Sequence, residues 1–205
     1  MSAWTSPEFD DHEQVCQFAD PASGLRAIVA IHSTARGAAA GGTRFKAYAC
    51  EQEALDDALR LSRAMSYKSA LAGLPVGGGK AVIIGDPARL KTPALLHAYG
   101  RFLNRIGDTF ATGEDVGMGV ADMETIREVS PYVGGTSRGA GDPSVHTAIG
   151  VIHGLRAVVE RQFQRSDFQG LTVAIQGLGA VGWGLAERLH AAGAGLIVAD
   201  IRQDA

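Results

Sequence analysis

Two lysines, a pair of adjacent acids and a glycine loop hold the chemistry that can be read from the residues. Lys68 lies three positions after Met65 in a helical repeat, so it continues an apolar stripe and not the polar face. A lysine so placed, partly buried or facing a cleft, either lays its stem along apolar surface with its ammonium in water or takes an anionic partner such as a carboxylate. Gly77-Gly78-Gly79-Lys80 sets a second lysine between a bare-backbone turn, against which a ligand could lie, and an apolar strand over 80–84. Apolar walls and a second cation, Lys68, would depress its pKa and make it a base near neutral pH; a surface lysine at a strand end is the plainer alternative. The run is not a phosphate-binding P-loop, because Lys80 is followed by Ala81 where that loop requires Ser or Thr. Thr112-Gly113-Glu114-Asp115-Val116-Gly117 follows a candidate strand, where α/β folds commonly place ligands. Adjacent residues point in different directions, so one of Glu114 and Asp115, and not both, could pair with Lys80; two solvated loop acids are the alternative.

Gly177-Leu178-Gly179-Ala180-Val181-Gly182 fits GxGxxG. In that pattern the first glycine makes a tight turn, the second lets backbone approach a pyrophosphate, and the third lets a helix pack closely. With 27 glycines in 205 residues the pattern arises by chance about 0.5 times along such a chain, so context must decide. An apolar strand precedes the motif, a helical stretch follows it, and Asp200 ends the next strand. That acid is placed to hydrogen-bond an adenine ribose and to repel a 2′-phosphate, which favours NAD over NADP; an ordinary strand-end acid is the alternative.

These residues need elements to position them. Apolar, β-branched runs at 15–19 and 25–32, joined by Asp20-Pro21-Ala22-Ser23-Gly24, read as two paired strands. Ala54, Ala58, Leu61 and Met65 mark one face of a helix over 51–70. Further along, 93–106 reads as a helix with Pro93 at its first position, 108–112 as a strand, 121–130 as a short helix and 133–143 as a Gly-rich loop. A long helix over 144–163 leads to strand 171–176, helix 180–192 and strand 196–199, a βαβ unit. The fold class is therefore α/β: a mixed-sheet first domain, 1–143, followed in 144–205 by a linking helix and the start of a Rossmann domain.

Composition narrows the partners. The 19 basic and 22 acidic residues give a net charge of -3 without a Lys/Arg cluster, so nucleic acid is not expected. The apolar runs are far shorter than the ~20 residues of a membrane span, so no membrane is expected either. The polar, acidic start shows no secretory pattern, which makes the cytoplasm the default. Cys16 and Cys50 form no CxxC pair, and are expected as free thiols. The six histidines form no ligand cluster, so no metal is expected.

Taken in order, Gly41-Gly42-Thr43-Arg44, Met65-Ser66-Tyr67-Lys68, Leu74 through Lys80, Gly113 through Gly117 and Gln176 through Gly182 resemble the glutamate/leucine/phenylalanine/valine dehydrogenase family over nearly the whole chain. The resemblance implies oxidation of an L-amino acid with NAD and water to a 2-oxo acid, ammonia and NADH, in a homo-oligomer built on the first domain. Hydride leaves the α-carbon for the nicotinamide, and water attacks the resulting imine. By this resemblance Lys68 holds the substrate carboxylate, Lys80 activates the water and Asp115 relays protons. Gly41 and Met65 line the pocket, Gly177, Gly179, Gly182 and Asp200 hold the dinucleotide, and Thr147 lies near the nicotinamide. The GGGK form is nearer the leucine/phenylalanine/valine branch. Gly113, where leucine-type members carry alanine, and Ala40, where they carry leucine, imply a roomier site and favour L-phenylalanine over leucine or valine.

Arg36-Gly37-Ala38-Ala39 and Val145-His146 depart from the family pattern, which bears on local geometry and not on the reaction. Family members also run on for well over a hundred residues beyond the strand ending at Asp200, so the chain reads as C-terminally truncated. It is expected to be part of an active dehydrogenase, or else a chain without catalysis that serves as a binding or assembly partner.

Overall fold

The computed structural model describes residues 2–137 and 143–202, and divides into two compact units, Met1–Gly141 and Asp142–Ala205. The first unit runs β1 (Gln14–Asp20), β2 (Leu25–Ser33), β3 (Ala39–Ala40), β4 (Thr43–Lys46), α1 (Glu51–Leu71), β5 (Gly77–Ile84), α2 (Pro87–Leu90), α3 (Pro93–Ile106), β6 (Phe110–Ala111) and α4 (Val120–Arg127). The second holds α5 (Pro143–Phe163), β7 (Thr172–Gln176), α6 (Ala180–Ala191) and β8 (Gly195–Ala199). Of the Gly-rich loop expected over 133–143, residues 138–142 lie outside the described residues.

The sheet of the first unit is mixed, in the order β1-β2-β5-β3-β6, with β4 also paired to β5. β1, β2 and β5 are antiparallel neighbours, whereas β3 and β4 run parallel to β5. Because side chains alternate across a strand, β2 and β5 feed two cores. Ile28, Ala30 and Val82 meet Ala54, Leu55, Ala58 and Leu59 of α1 on one face. Ala27, Val29, Ile31, Ala81 and Ile83 meet Leu95, Tyr99 and Leu103 of α3, with Met123 and Ile126 of α4, on the other. Strands buried on both faces read as continuous apolar runs, as 25–31 does.

Helix α3 starts where Thr92 accepts the Leu95 N–H at 3.2 Å with Pro93 next to it, and ends at Gly107 with φ of 72°. Such a cap and such a left-handed stop are favourable only for these residue types.

Three expectations are corrected. Gly77-Gly78-Gly79 is not a turn but the first part of β5, buried throughout. Its glycines serve close packing: a Cβ on Gly78 would fall 2.2 Å from Ser66 N of α1, and one on Gly79 would fall 2.6 Å from the Phe110 ring. The strand expected over 108–112 is a 3-10 turn, Gly107–Thr109, followed by only two residues of β6. β3 and β4, not anticipated, are two pieces of one line interrupted at Gly41-Gly42.

In the second unit β7 and β8 pair in parallel, from Thr172 opposite Gly195 to Gln176 opposite Ala199. Ala148 and Ile152 of α5 pack with Ile175, Leu185 and Leu189 to form its core. This is the expected βαβ.

Candidate active site

The interruption at Gly41-Gly42 opens the place where the site is built. A Cβ on Gly41 would fall 1.8 Å from Gly79 O and 3.4 Å from Met65 Cγ; on Gly42 it would fall 2.1 Å from Glu114 O. Only bare backbone lets β5, α1 and the loop after β6 converge there. That loop is tied along β4 by Thr43 N–H donating to Gly113 O at 2.9 Å and Phe45 N–H to Val116 O at 2.8 Å. Beneath it Thr43 Oγ1 joins the hydroxyls of Thr112, at 2.5 Å, and Tyr99, at 2.7 Å, in a fully enclosed chain. Burial pushes the Tyr99 phenol up to about 12, so it stays protonated.

Lys80 points to the α1 face of the sheet and is 5% exposed. Its Nζ donates to Asp115 Oδ1 at 2.8 Å. Asp115 Oδ2 accepts from Arg44 Nε at 2.7 Å, and Arg44 Nη1 donates to Asp57 Oδ2 of α1 at 3.0 Å. Tyr48 Oη, at 3.0 Å, and Arg60, at 2.6 Å, complete the partners of the buried Asp57. Burial drives the Lys80 ammonium below the ordinary lysine value; Asp115 opposes this and Arg44 adds to it. Burial pushes the Asp115 carboxyl up, but Lys80 and Arg44 outweigh it and hold the group below its ordinary 3.8. The arrangement suits a base that gives and takes protons close to a fixed carboxylate.

The structure sets Gly41 beside Met65 and the Gly79 carbonyl, and Lys80 Nζ against Asp115. Of the two acids Asp115 faces Lys80, while the Glu114 side chain lies beside Gly135. The second cation that depresses Lys80 is Arg44 and not Lys68. Lys68 is on α1 one turn past Met65 and is exposed, which removes the partly buried alternative. Ala40 sits on β3 opposite Gly78 and Ala111. Gly113 borders open space, since a Cβ there would meet nothing nearer than Gly134 O at 3.9 Å. Arg44 and Asp57 were missed as site residues. Asp57 left a signal, an acid inside the arc set by Ala54, Ala58 and Leu61.

In the second unit Gly177 has φ of 95°, a Cβ on Gly182 would fall 1.9 Å from Gly177 O, and Gly179 has nothing within 4 Å of where its Cβ would stand. The three glycines thus meet the demands of a turn, an open approach and close helix packing. Gly177 and Gly179 border, with Asp200, a cavity of about 590 Å³ that is also lined by Gln176 and Arg202. Asp200 Oδ2 accepts the Leu178 N–H at 2.6 Å, and Oδ1 accepts the Arg202 N–H at 2.8 Å. These bonds hold its carboxyl below 3.8. Thr147 is exposed on α5, its Oγ1 donating to Pro143 O at 2.9 Å. The residues fit a dinucleotide: glycine backbone for the pyrophosphate and a carboxylate for a ribose. Among the described residues no group of three or more His, Cys, Asp or Glu could hold a metal, and no helix is long and apolar enough to cross a membrane. Cys16 and Cys50 are free.

The model of the Glu/Leu/Phe/Val dehydrogenase dimerisation domain matches residues 12–132, and the chain belongs to this family. It is 50% identical over 94% of its length to a protein named valine dehydrogenase from Streptomyces coelicolor. It is 48% identical over 100% of its length to a leucine dehydrogenase of Geobacillus stearothermophilus. It covers 54% and 56% of those relatives, so the chain spans about half their length. Among solved structures, L-tryptophan dehydrogenase from Nostoc punctiforme is 44% identical with a TM-score of 0.67, over 93% of this chain and 54% of that one. The hetero-hexameric glutamate dehydrogenase of Thermus thermophilus shares the fold, with a TM-score of 0.79 at 24% identity over 93% of this chain and 50% of that one.

Proposed function

We propose that the chain carries the substrate-binding part and the first nucleotide-binding βαβ of an NAD-dependent dehydrogenase that oxidatively deaminates a hydrophobic L-amino acid. The single observation that supports this most is the buried Lys80, its Nζ 2.8 Å from an Asp115 that packs against the bare backbone of Gly42. The reaction balances as amino-acid zwitterion plus NAD⁺ plus water giving 2-oxo acid, ammonium, NADH and one proton. Gly177, Gly179, Gly182, Asp200 and Thr147 would hold NAD, which would supply the hydride acceptor.

The chain's own groups do the rest. Lys68 pairs with the substrate carboxylate, and its exposed position leaves its ammonium open to an incoming anion. Lys80, neutral once its proton is lost, takes a proton from the attacking water, and Asp115 accepts or returns it over one hydrogen bond. Gly41, Met65, Ala40 and Gly113 shape the space for the side chain. The names of the relatives favour valine and leucine as substrates. The open space at Gly113 favours a larger ring, and L-phenylalanine is the second reading. The dimerisation domain matched over 12–132 supports a homo-oligomer, which we place in the cytoplasm. Kinetics of the full-length protein with L-Val, L-Leu, L-Phe and L-Glu tests the assignment: turnover of the hydrophobic substrates with little or none of L-Glu supports it, and preference for L-Glu overturns it.

A further inference from the structure

We propose that Arg44, braced by Asp57 from α1, is a positioning residue for the reaction: it fixes one oxygen of Asp115 and offsets its charge, so that Lys80 faces an ion pair and not a bare carboxylate. This rests on the assignment of Lys80 as the base.

The two oxygens of Asp115 are divided between partners. Oδ1 takes Lys80 Nζ and Oδ2 takes Arg44 Nε. Arg44 spends its Nη1 on Asp57 Oδ2, and Arg60 closes the line on Asp57 Oδ1. The charges therefore alternate along Lys80, Asp115, Arg44, Asp57 and Arg60, drawn from β5, the loop after β6, β4 and α1. The groups acting on Lys80 are Asp115, Arg44 and Asp57, and the two acids alone would hold its proton. Arg44 is the cation that opposes them. Its planar guanidinium reaches two carboxylates with two different nitrogens, which a lysine cannot do. It also stops Asp115 from turning away, since the carboxylate is held from both sides.

The test is the pH dependence of Lys80 acylation, read by mass spectrometry after a pulse of acetic anhydride, alongside kcat and KM for the amino acid. In the unaltered protein the Lys80 midpoint lies below that of an ordinary lysine. Arg44→Gln raises it by about one pH unit or more, and moves the kcat profile the same way with a smaller change in KM. Arg44→Lys restores part of the shift, because it returns the charge without the second contact. Asp57→Asn keeps the Arg44 charge but removes its brace; it lowers kcat several-fold at unchanged KM, and carries the test should Arg44→Gln fail to fold. A Lys80 midpoint unmoved by Arg44→Gln, or kcat unchanged in Asp57→Asn, overturns the role of Arg44 while leaving Lys80 as the base. Turnover that survives Lys80→Ala overturns the base assignment, and this inference with it.

Discussion

Ser66 of α1 lies against Gly78 of β5 so closely that a Cβ on the glycine would fall 2.1 Å from the serine hydroxyl. The helix that carries Met65, Lys68 and Asp57 therefore rests on the bare backbone of the strand that carries Lys80. Gly78→Ala must push them apart, at a cost of about 1–3 kcal/mol from overpacking. Urea unfolding is expected to show that loss, with kcat/KM falling further than stability alone explains. Unchanged stability would mean that α1 can shift freely.

Asp57 and Asp115 are both held below the ordinary carboxyl value of 3.8, burial being outweighed by their hydrogen bonds and cations. A lowered folded pKa gives stability that is complete above the unfolded value and is lost as pH falls through the folded one. Thermal melts should hold steady above about pH 4 and then drop steeply through the acid range. Asp57→Asn should flatten that drop while lowering stability at neutral pH by on the order of 3 kcal/mol, because Arg44 and Arg60 lose their shared partner.

Gly113 has room, with nothing closer than 3.9 Å to a Cβ. Gly113→Ala is expected to leave stability within about 0.5 kcal/mol. If the open space admits the substrate side chain, the added methyl lowers kcat/KM for L-Phe relative to L-Val by roughly tenfold. Equal ratios in the two proteins would remove Gly113 from the pocket.

Asp200 accepts the Leu178 N–H of the glycine loop, so it shapes the loop as well as facing the cavity. Calorimetry should show Asp200→Ala weakening NAD by about tenfold, the scale of a charge-assisted hydrogen bond. NADP should weaken less, because a 2′-phosphate no longer meets a carboxylate. Equal losses for both would assign Asp200 to the loop alone.

Much of this architecture is written in local pattern. The stripe from Ala54 to Met65 marks α1, and Pro93 with Thr92 marks the start of α3, because helices depend on neighbours three and four residues apart. The Gly77–Gly79 run misleads for a physical reason: glycine signals turns by its freedom, yet here it is chosen for the absence of a side chain under α1 and beside Phe110. β3 and β4 escape because two and four residues give too little alternation to detect. In the site, type and spacing offer Lys80 one of Glu114 and Asp115 as a partner, and only the family resemblance picks Asp115. Arg44 cannot be paired that way, since its partners lie 71 positions away at Asp115 and 13 at Asp57, and only the fold brings them together.

The role proposed for Lys80 is that of the base in an amino-acid oxidation. The most direct measurement is NADH formation by the full-length protein and its Lys80→Ala variant across pH, with L-Val, L-Leu and L-Phe. With Lys80 as the base, kcat/KM rises with pH along a limb whose midpoint lies below 10.5, the ordinary lysine value, and Lys80→Ala loses turnover by about 100-fold or more. Turnover in the variant equal to that of the unaltered protein, with the same pH profile, would contradict it.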